Sequence, residues 1–307
     1  MQSFPVSALL SLARTALLRA KKLVACNRRS RFDEYLRSLE NYSEPTAEFV
    51  AVYRKQKLLR RAMFEASAQC YQLHLASLLW DEFDAGRLRT ALRHILAGPA
   101  LDPKSDDKPR DTLLELVAAA VLYDIGFDVG LTDGHEDVVL RQESLGRGAA
   151  ECKRPRAAKN LRANCNRLAR QLRERRAVGS KYGMAVIGLD RLSGLFGDAH
   201  EAETTEDATQ AMEEITRTVA AQLNKCAVRS GLDREASVAV LVLSGCVLVR
   251  QPLHLWTFVH VQPFPLVEPA QMPPPLDALL LKQAHRLEGR WAAADAQADK
   301  RRGPAIQ

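Results

Sequence analysis

Residues suited to the cleavage of a phosphate diester are concentrated between positions 111 and 172. They are Glu115 in an apolar segment, Asp137 before a β-branched run, and the tripeptide Glu151-Cys152-Lys153. Two carboxylates that meet in space can form a hard oxygen site for Mg²⁺ or Mn²⁺. Such a metal polarises the phosphate and lowers the pKa of a bound water, while a nearby lysine orients that water or screens the developing charge. These residue types therefore predict metal-dependent phosphodiester cleavage.

The tripeptide lies in a predicted strand, residues 148–154, in which alternate side chains face the same way. Glu151 and Lys153 then share one face, and the Cys152 side chain points into the core. A Gly-rich hairpin turn precedes this strand. Asp137, on the neighbouring strand, therefore lies beside Glu151 if the register allows it.

The acid on that neighbouring strand could be either of two residues. Asp137 directly follows Glu136, and one of the two could merely face solvent. The apolar run Val138-Val139-Leu140 begins immediately after Asp137 and is typical of a strand. We therefore favour Asp137 as the functional acid.

The acid in the apolar segment also has two interpretations. Glu115 belongs to a predicted helix over residues 112–124, which Gly126 ends. Thr112 and Glu115 have the spacing of a capping box, in which both side chains satisfy backbone amides at a helix start. Glu115 therefore either stabilises this helix or contributes to the site.

A strongly basic helix is predicted next, over residues 159–176. Residues 141–181 contain 13 Lys or Arg and 3 Glu, a local net charge of +10, whereas the whole chain carries +7. The candidate nucleic-acid-binding residues are Arg154, Arg156, Lys159, Arg162, Arg167 and Arg170. Such cations position a duplex through its phosphates, and few aromatic residues are present here to stack on single-stranded bases. A solvated charged face is the alternative interpretation.

The order of these elements and acids, over roughly residues 111–190, resembles the PD-(D/E)XK nuclease superfamily. The resemblance implies a restriction-endonuclease-like αβββαβ core with a mixed sheet flanked by helices. It also implies a divalent metal held by Asp137, Glu151 and the backbone carbonyl of Cys152. Lys153 takes the place of the family's lysine and Glu115 that of its helical acid. Gln171, or secondarily Asn164, is the polar residue that the basic helix adds to the site.

Composition changes divide the rest of the chain. Residues 1–98 are predicted to form an all-helical domain, and residues 99–110, which contain three prolines, a linker. The nuclease-like domain is predicted over 111–275, with further strands at 182–189, 237–249 and 253–261 and a helix at 206–228. Residues 276–307 are predicted as a helix followed by a disordered tail.

The longest periodic segment lies in the predicted helical domain. Apolar residues alternate by three and four from residue 46 to 83 without an internal proline or glycine. A continuous helix of this length would extend about 57 Å. It is either a helix packed within the chain or a coiled coil that forms a homodimer.

Composition narrows the remaining possibilities. A net charge of +7 and a pI of about 9.2 favour a polyanionic partner. Six cysteines without a C-x-x-C pair suit a reducing cytoplasm, and no apolar run is long enough to predict a membrane span. The sequence thus predicts a Mg²⁺-dependent deoxyribonuclease, more specifically an endonuclease acting on double-stranded DNA. A non-catalytic nucleic-acid-binding or assembly protein on the same fold, and a ribonuclease, are the alternatives.

Overall fold

The structure, a computed structural model, describes residues 2–97, 108–132, 137–190 and 201–267. It is an α/β structure with one mixed sheet. The described helices are α1 Val6–Leu23, α2 Arg31–Glu40, α3 Ala47–Lys55, α4 Lys57–Ser77, α5 Ala85–Leu96, α6 Lys108–Ile125, α7 Leu161–Ala177, α8 Thr205–Ser230 and α9 Leu232–Glu235. The described strands are β1 Gln2–Pro5, β2 Asp128–Leu131, β3 Val138–Gln142, β4 Gly146–Lys153, β5 Tyr182–Gly188, β6 Glu201–Ala202, β7 Val238–Arg250 and β8 Leu253–Pro265. A short 3-10 helix, Ala158–Asn160, precedes α7.

The strands are ordered β1-β8-β7-β5-β4-β3-β2, and β6 pairs with β7. Strands β2, β3 and β4 form an antiparallel meander, after which α7 leads to β5, parallel to β4. β5 is also parallel to β7, and β7 and β8 form a long antiparallel ribbon. The predicted strands at 182–189 and 237–249 are confirmed as central strands. Every residue of β5 is buried, as a continuous apolar run in a sheet covered on both faces should be.

Two hydrophobic cores lie on opposite faces of the sheet. Alternate residues of β5 enter each core: Met184 and Val186 on one face, Ala185 and Ile187 on the other. The first core contains side chains from α1 through α6, and the second contains side chains from α7 and α8. The helices predicted as a separate domain therefore share a core with the sheet, and α6 begins inside the predicted linker.

Close contacts join α4 to the ribbon of β7 and β8. The Ser67 hydroxyl donates to the carbonyl of Gly245 at 3.1 Å, and Gln72 Nε2 donates to Ser244 Oγ at 3.0 Å. A Cβ atom at Gly245 would lie 2.2 Å from a ring carbon of Phe64. Glycine is thus required where the helix crosses the strand.

The prediction of one continuous helix over 46–83 is wrong, because the chain forms two helices, α3 and α4, in this range. Gln56 has φ −105° and ψ 95°, an extended conformation that separates α3 from α4. The Arg60 guanidinium donates to the Tyr53 and Arg54 carbonyls near the end of α3, which stabilises this break without proline or glycine. Five of the six positions expected to form a dimer seam on α4 are buried inside this chain, including Met63 and Leu73, and the sixth, Leu59, is half-buried against the same core. The coiled-coil interpretation is therefore wrong for α4.

Some predictions lie outside the described residues: most of the linker, at 99–107, and the C-terminal helix and tail at 276–307. In the part of the chain that the structure describes, no helix combines the length and apolarity needed to cross a bilayer. All six cysteines are free thiols, and four of them are buried.

Candidate active site

The C-terminal end of β4 brings four of the predicted groups together. The Asp137 carboxylate accepts a hydrogen bond from the Cys152 amide at 2.6 Å. The Lys153 ammonium donates to the Cys152 carbonyl at 2.8 Å and lies 3.8 Å from Asp137 Oδ2. β3 pairs with β4 through Val138 and Ala150, so Asp137 directly precedes the paired residues. Asp137 therefore lies at the end of β4, next to the residue that pairs with Ala150. The alternative acid, Glu136, lies outside the described residues.

Glu151 is buried and has a partner that the sequence did not indicate. Its Oε1 accepts a 2.7 Å hydrogen bond from Nε of Arg175 on α7, while its Oε2 is buried without a hydrogen-bond partner in the described structure. Burial first, and then the Asp137 charge, raise the pKa of Glu151 to about 7, although the Arg175 hydrogen bond opposes this rise. The carboxylate is thus held by a protein cation while it remains within the electrostatic influence of Asp137.

Cys152 faces the opposite side of the strand, as predicted. Its side chain is buried in the first hydrophobic core, and burial raises the pKa of its thiol well above the ordinary value. Only its backbone contributes to the candidate site: the amide contacts Asp137 and the carbonyl contacts Lys153.

Glu115 lines the candidate cleft and lies inside α6 rather than at its cap. α6 begins at Lys108, so Thr112 lies inside the helix and is buried, and the capping-box interpretation is wrong. Burial, followed by the charges of Asp137 and Asp111, raises the pKa of Glu115 to about 8. Its carboxyl group therefore retains a proton at neutral pH.

Glu115 and Asp137 open onto a cleft of about 510 Å³, whose lining does not include the Glu151 or Lys153 side chains. Glu115, Asp137, Gln171 and Arg175 line it together with residues of α5. Of the two polar residues expected from the basic helix, Gln171 lines the cleft. Asn164 does not line it, and its side-chain amide donates to the Asn160 carbonyl at 2.8 Å near the start of α7.

Five of the six residues predicted to bind nucleic acid are exposed, and the sixth, Arg154, is buried. The exposed cations are Arg156, Lys159, Arg162, Arg167 and Arg170. Arg154 was predicted to bind nucleic acid, but its side chain is fully buried. It lies 3.3 Å from the Asp190 carboxylate and donates to Gln72 Oε1 at 2.7 Å. Strand alternation explains this correction, since Arg154 follows Cys152 by two residues and shares its core-facing side.

The oxygen atoms at the end of β4 suit a hard divalent cation in type. They are the Asp137 and Glu151 carboxylates and the Cys152 carbonyl, and the unpartnered Glu151 Oε2 is an available acceptor. The position already accommodates positive charge, because the Lys153 ammonium approaches two of these groups. As arranged, however, no group of three or more His, Cys, Asp or Glu side chains in the described ranges could hold a metal ion.

The chain matches no family model, no curated protein and no solved structure. The interpretation of the site therefore depends on its own residues and geometry.

Two features of the site were missed from the sequence. Arg175 follows Gln171 by four residues and so shares its helix face, a spacing that could have identified it. The α5 wall of the cleft had no local signal, because its position depends on how the N-terminal helices pack against α6.

Proposed function

We propose that the chain is a metal-dependent nuclease that hydrolyses DNA phosphodiester bonds, acting on duplex DNA as an endonuclease. The observation that carries this proposal is the convergence at the end of β4. Asp137 and Lys153 both hydrogen-bond the Cys152 backbone, beside the buried Glu151 carboxylate. Glu115 reaches the same cleft from α6.

The succession of elements supports a relationship to the PD-(D/E)XK superfamily. α6 is followed by the β2–β3–β4 meander, by α7, and by β5 parallel to β4. This is the αβββαβ order of a restriction-endonuclease-like core, and the acids and lysine occupy the expected elements. Fold likeness alone carries no activity, so the proposal depends on the site.

Asp137, Glu151 and the Cys152 carbonyl would hold Mg²⁺ or Mn²⁺, whose chemistry there is to polarise the phosphate and acidify a bound water. The unpartnered Oε2 of Glu151 could take part directly, whereas Oε1 becomes available only if the Arg175 guanidinium leaves it. Arg175 would then be free to pair with a phosphate in the cleft.

The remaining side chains act on the water and on the developing charge. The Lys153 ammonium, beside Asp137, is placed to orient the attacking water and to screen negative charge on the phosphate. Glu115, with a pKa of about 8, can hold or release a proton close to neutral pH. The Gln171 amide lines the same cleft and can donate to a phosphate oxygen.

The exposed cations of the α7 region supply the substrate surface. No described carboxylate forms an ion pair with Lys159, Arg162, Arg167 or Arg170, so their charges are available to phosphates. Double-stranded DNA is the substrate that we infer for this surface. The six free thiols support a reducing cytoplasm as its location.

A non-catalytic nucleic-acid-binding protein is the second candidate. The observation in its favour is that Asp137 and Glu151 are both engaged by protein donors, the Cys152 amide and Arg175. In that case the acids stabilise the end of the sheet and the basic surface alone binds nucleic acid.

Cleavage of supercoiled plasmid separates the two candidates. Wild type, Lys153→Ala and the control Lys225→Ala, an exposed lysine on α8, are each incubated with Mg²⁺ or with EDTA. We expect Mg²⁺-dependent nicking by wild type and Lys225→Ala, and a loss on the order of 100-fold or more for Lys153→Ala. Equal nicking by all three proteins, or by none, would contradict the nuclease proposal. Parallel RNA substrates distinguish a ribonuclease.

A further inference from the structure

One face of α5 forms the second wall of the cleft. Arg87, Thr90, Ala91 and His94 line it, with the spacing i, i+3, i+4 and i+7 that places residues on a single helix face. Neither the metal-binding groups nor the basic helix explains why a polar and cationic helix face should line the same cleft as the acids. α5 belongs to the N-terminal helices, for which the proposed reaction gives no role.

The cleft lining contains both acids and cations. The acids are Glu115 and Asp137, and the cationic side chains are contributed by α5, by the start of α6 and by α7: Arg87, Lys108 and Arg175. Arg87 is anchored there, because its Nη1 donates to the Leu131 carbonyl at 2.7 Å at the end of β2. A phosphodiester directed at the acids would therefore have cations on its flanks for the neighbouring phosphates of the same strand.

The size of the cleft limits what can enter it. Its volume of about 510 Å³ lies within the range of pockets that enclose small molecules. One or two nucleotides of one strand have this scale, whereas a duplex would bring paired bases and a second strand between α5 and α7. The exposed cations of α7 lie outside the cleft, since only its Gln171 and Arg175 line it.

We propose that the cleft receives one unpaired strand, positioned by the α5 face, while the exposed α7 cations hold an adjacent duplex. The substrate class is nucleic acid with a single strand next to a duplex, such as a fork, flap or gap. This inference rests on the proposed nuclease function and narrows its duplex substrate to DNA with an unpaired strand beside the duplex, a structure that negatively supercoiled plasmid also exposes. Arg87 and Thr90 are substrate-positioning residues.

Fluorescence anisotropy in EDTA, which prevents cleavage, tests the inference with forked, single-stranded and blunt duplex DNA of equal length. The matched variants are Arg87→Gln and Arg89→Gln, two exposed arginines on α5 of which only Arg87 lines the cleft. Thr90→Glu is a second cleft variant that keeps the Arg87 side chain. Melting temperatures establish that each variant is folded.

We expect wild type to bind the fork more tightly than the blunt duplex. Arg87→Gln and Thr90→Glu should each raise the Kd for the fork roughly tenfold, which corresponds to about 1.4 kcal/mol. Arg89→Gln should leave it unchanged, and Arg87→Lys should retain most of the affinity. Blunt duplex affinity should change little in every variant, because the duplex is held by α7.

Two results would overturn the inference. One is equal affinity for fork and blunt duplex, and the other is equal weakening by Arg87→Gln and Arg89→Gln, which would indicate a general charge effect. Failure of the nuclease proposal would look different. Fork preference that depends on Arg87, without Mg²⁺-dependent cleavage, would support strand binding and remove the catalytic role. Mg²⁺-dependent cleavage of blunt duplexes without fork preference would support the nuclease proposal and overturn the inferred binding of an unpaired strand.

Discussion

The two faces of β4 place charged residues in different surroundings over four consecutive positions. On one face, Lys153 is 21% exposed beside the equally exposed Asp137, and Glu151 is buried next to the cleft. On the other, Cys152 and Arg154 are buried in the core, with Arg154 paired to Asp190. The first face brings Asp137 and Lys153 together with Glu151, whose pKa is raised by burial and by the Asp137 charge. The second pairs one buried cation with one buried acid. Neighbouring charged residues at a strand end can thus have different roles, with those on one face forming a candidate site and one on the other face forming an ion pair in the core.

The energetics of the two faces should therefore respond to different changes. Clustered, desolvated carboxyl groups are unfavourable for folding and are common at functional sites. A buried ion pair, by contrast, becomes costly mainly when one partner is removed. Changes on the cleft face should alter activity, and changes on the core face should alter stability.

Asp137→Asn should have the largest effect on cleavage. The change removes a carboxylate to which we assign metal binding, and even outer partners of metal ligands typically cost about 10- to 100-fold. We expect a decrease of roughly 100-fold or more in the rate of plasmid nicking, with a melting temperature close to that of wild type. Retained cleavage in Asp137→Asn would place the reaction elsewhere.

Arg154→Met should have the largest effect on stability. It leaves the Asp190 carboxylate buried without its cation and removes the donor to Gln72. The free energy of unfolding in urea should fall by about 3–5 kcal/mol. Arg162→Met, at an exposed position on α7, is the control and should be nearly neutral. Similar stability of both variants would show that Arg154 is not the buried residue described.

Glu115→Gln should change how stability depends on pH. The pKa of Glu115 is raised from 4.5 to about 8, so the folded protein retains a proton that the unfolded chain releases in that interval. Wild-type stability should therefore fall as pH rises from about 4.5 to about 8, and this part of the fall should be absent in Glu115→Gln. Thermal melts across the interval should show the stability of the variant rising relative to wild type with increasing pH. A constant difference would contradict the raised pKa.

Replacing exposed arginines on α7 should have the smallest effect, and that effect should be on the salt dependence of DNA binding. Arg167→Gln combined with Arg170→Gln should reduce the slope of log binding constant against log salt by about 0.9 for each duplex phosphate that the variant no longer neutralises. Arg229→Gln, at an exposed position on α8, should leave the slope unchanged. Equal slopes for wild type and all variants would show that Arg167 and Arg170 face solvent and do not contact DNA phosphates.

Much of the sheet could be predicted because its signals are local. The apolar runs of β5 and β7 and the boundaries of α2 follow from residue type and spacing. β1 was missed, since its four residues pair with β8 more than 250 positions away and carry no alternation of their own. The break at Gln56 was missed because it depends on the Arg60 side chain rather than on a glycine or proline.

Within the site, the strand residues were predictable and their long-range partners were not. Alternation placed Glu151 and Lys153 apart from Cys152, and the same rule applied to Arg154 would have placed it in the core. Thr112 matched a capping box by spacing, but the helix begins four residues earlier at Lys108. The pairing of Glu151 with Arg175 joins residues 24 apart on a strand and a helix, so it required the packing of α7 on β4.

The proposed metal site is tested most directly by a crystal structure of the protein soaked with Mn²⁺, using the anomalous signal to locate the metal. We predict a peak bounded by the Asp137 and Glu151 carboxylates and the Cys152 carbonyl, with the unpartnered Glu151 Oε2 facing the metal. A structure without Mn²⁺ at this position, in which the two carboxylates point apart, would contradict the proposed site.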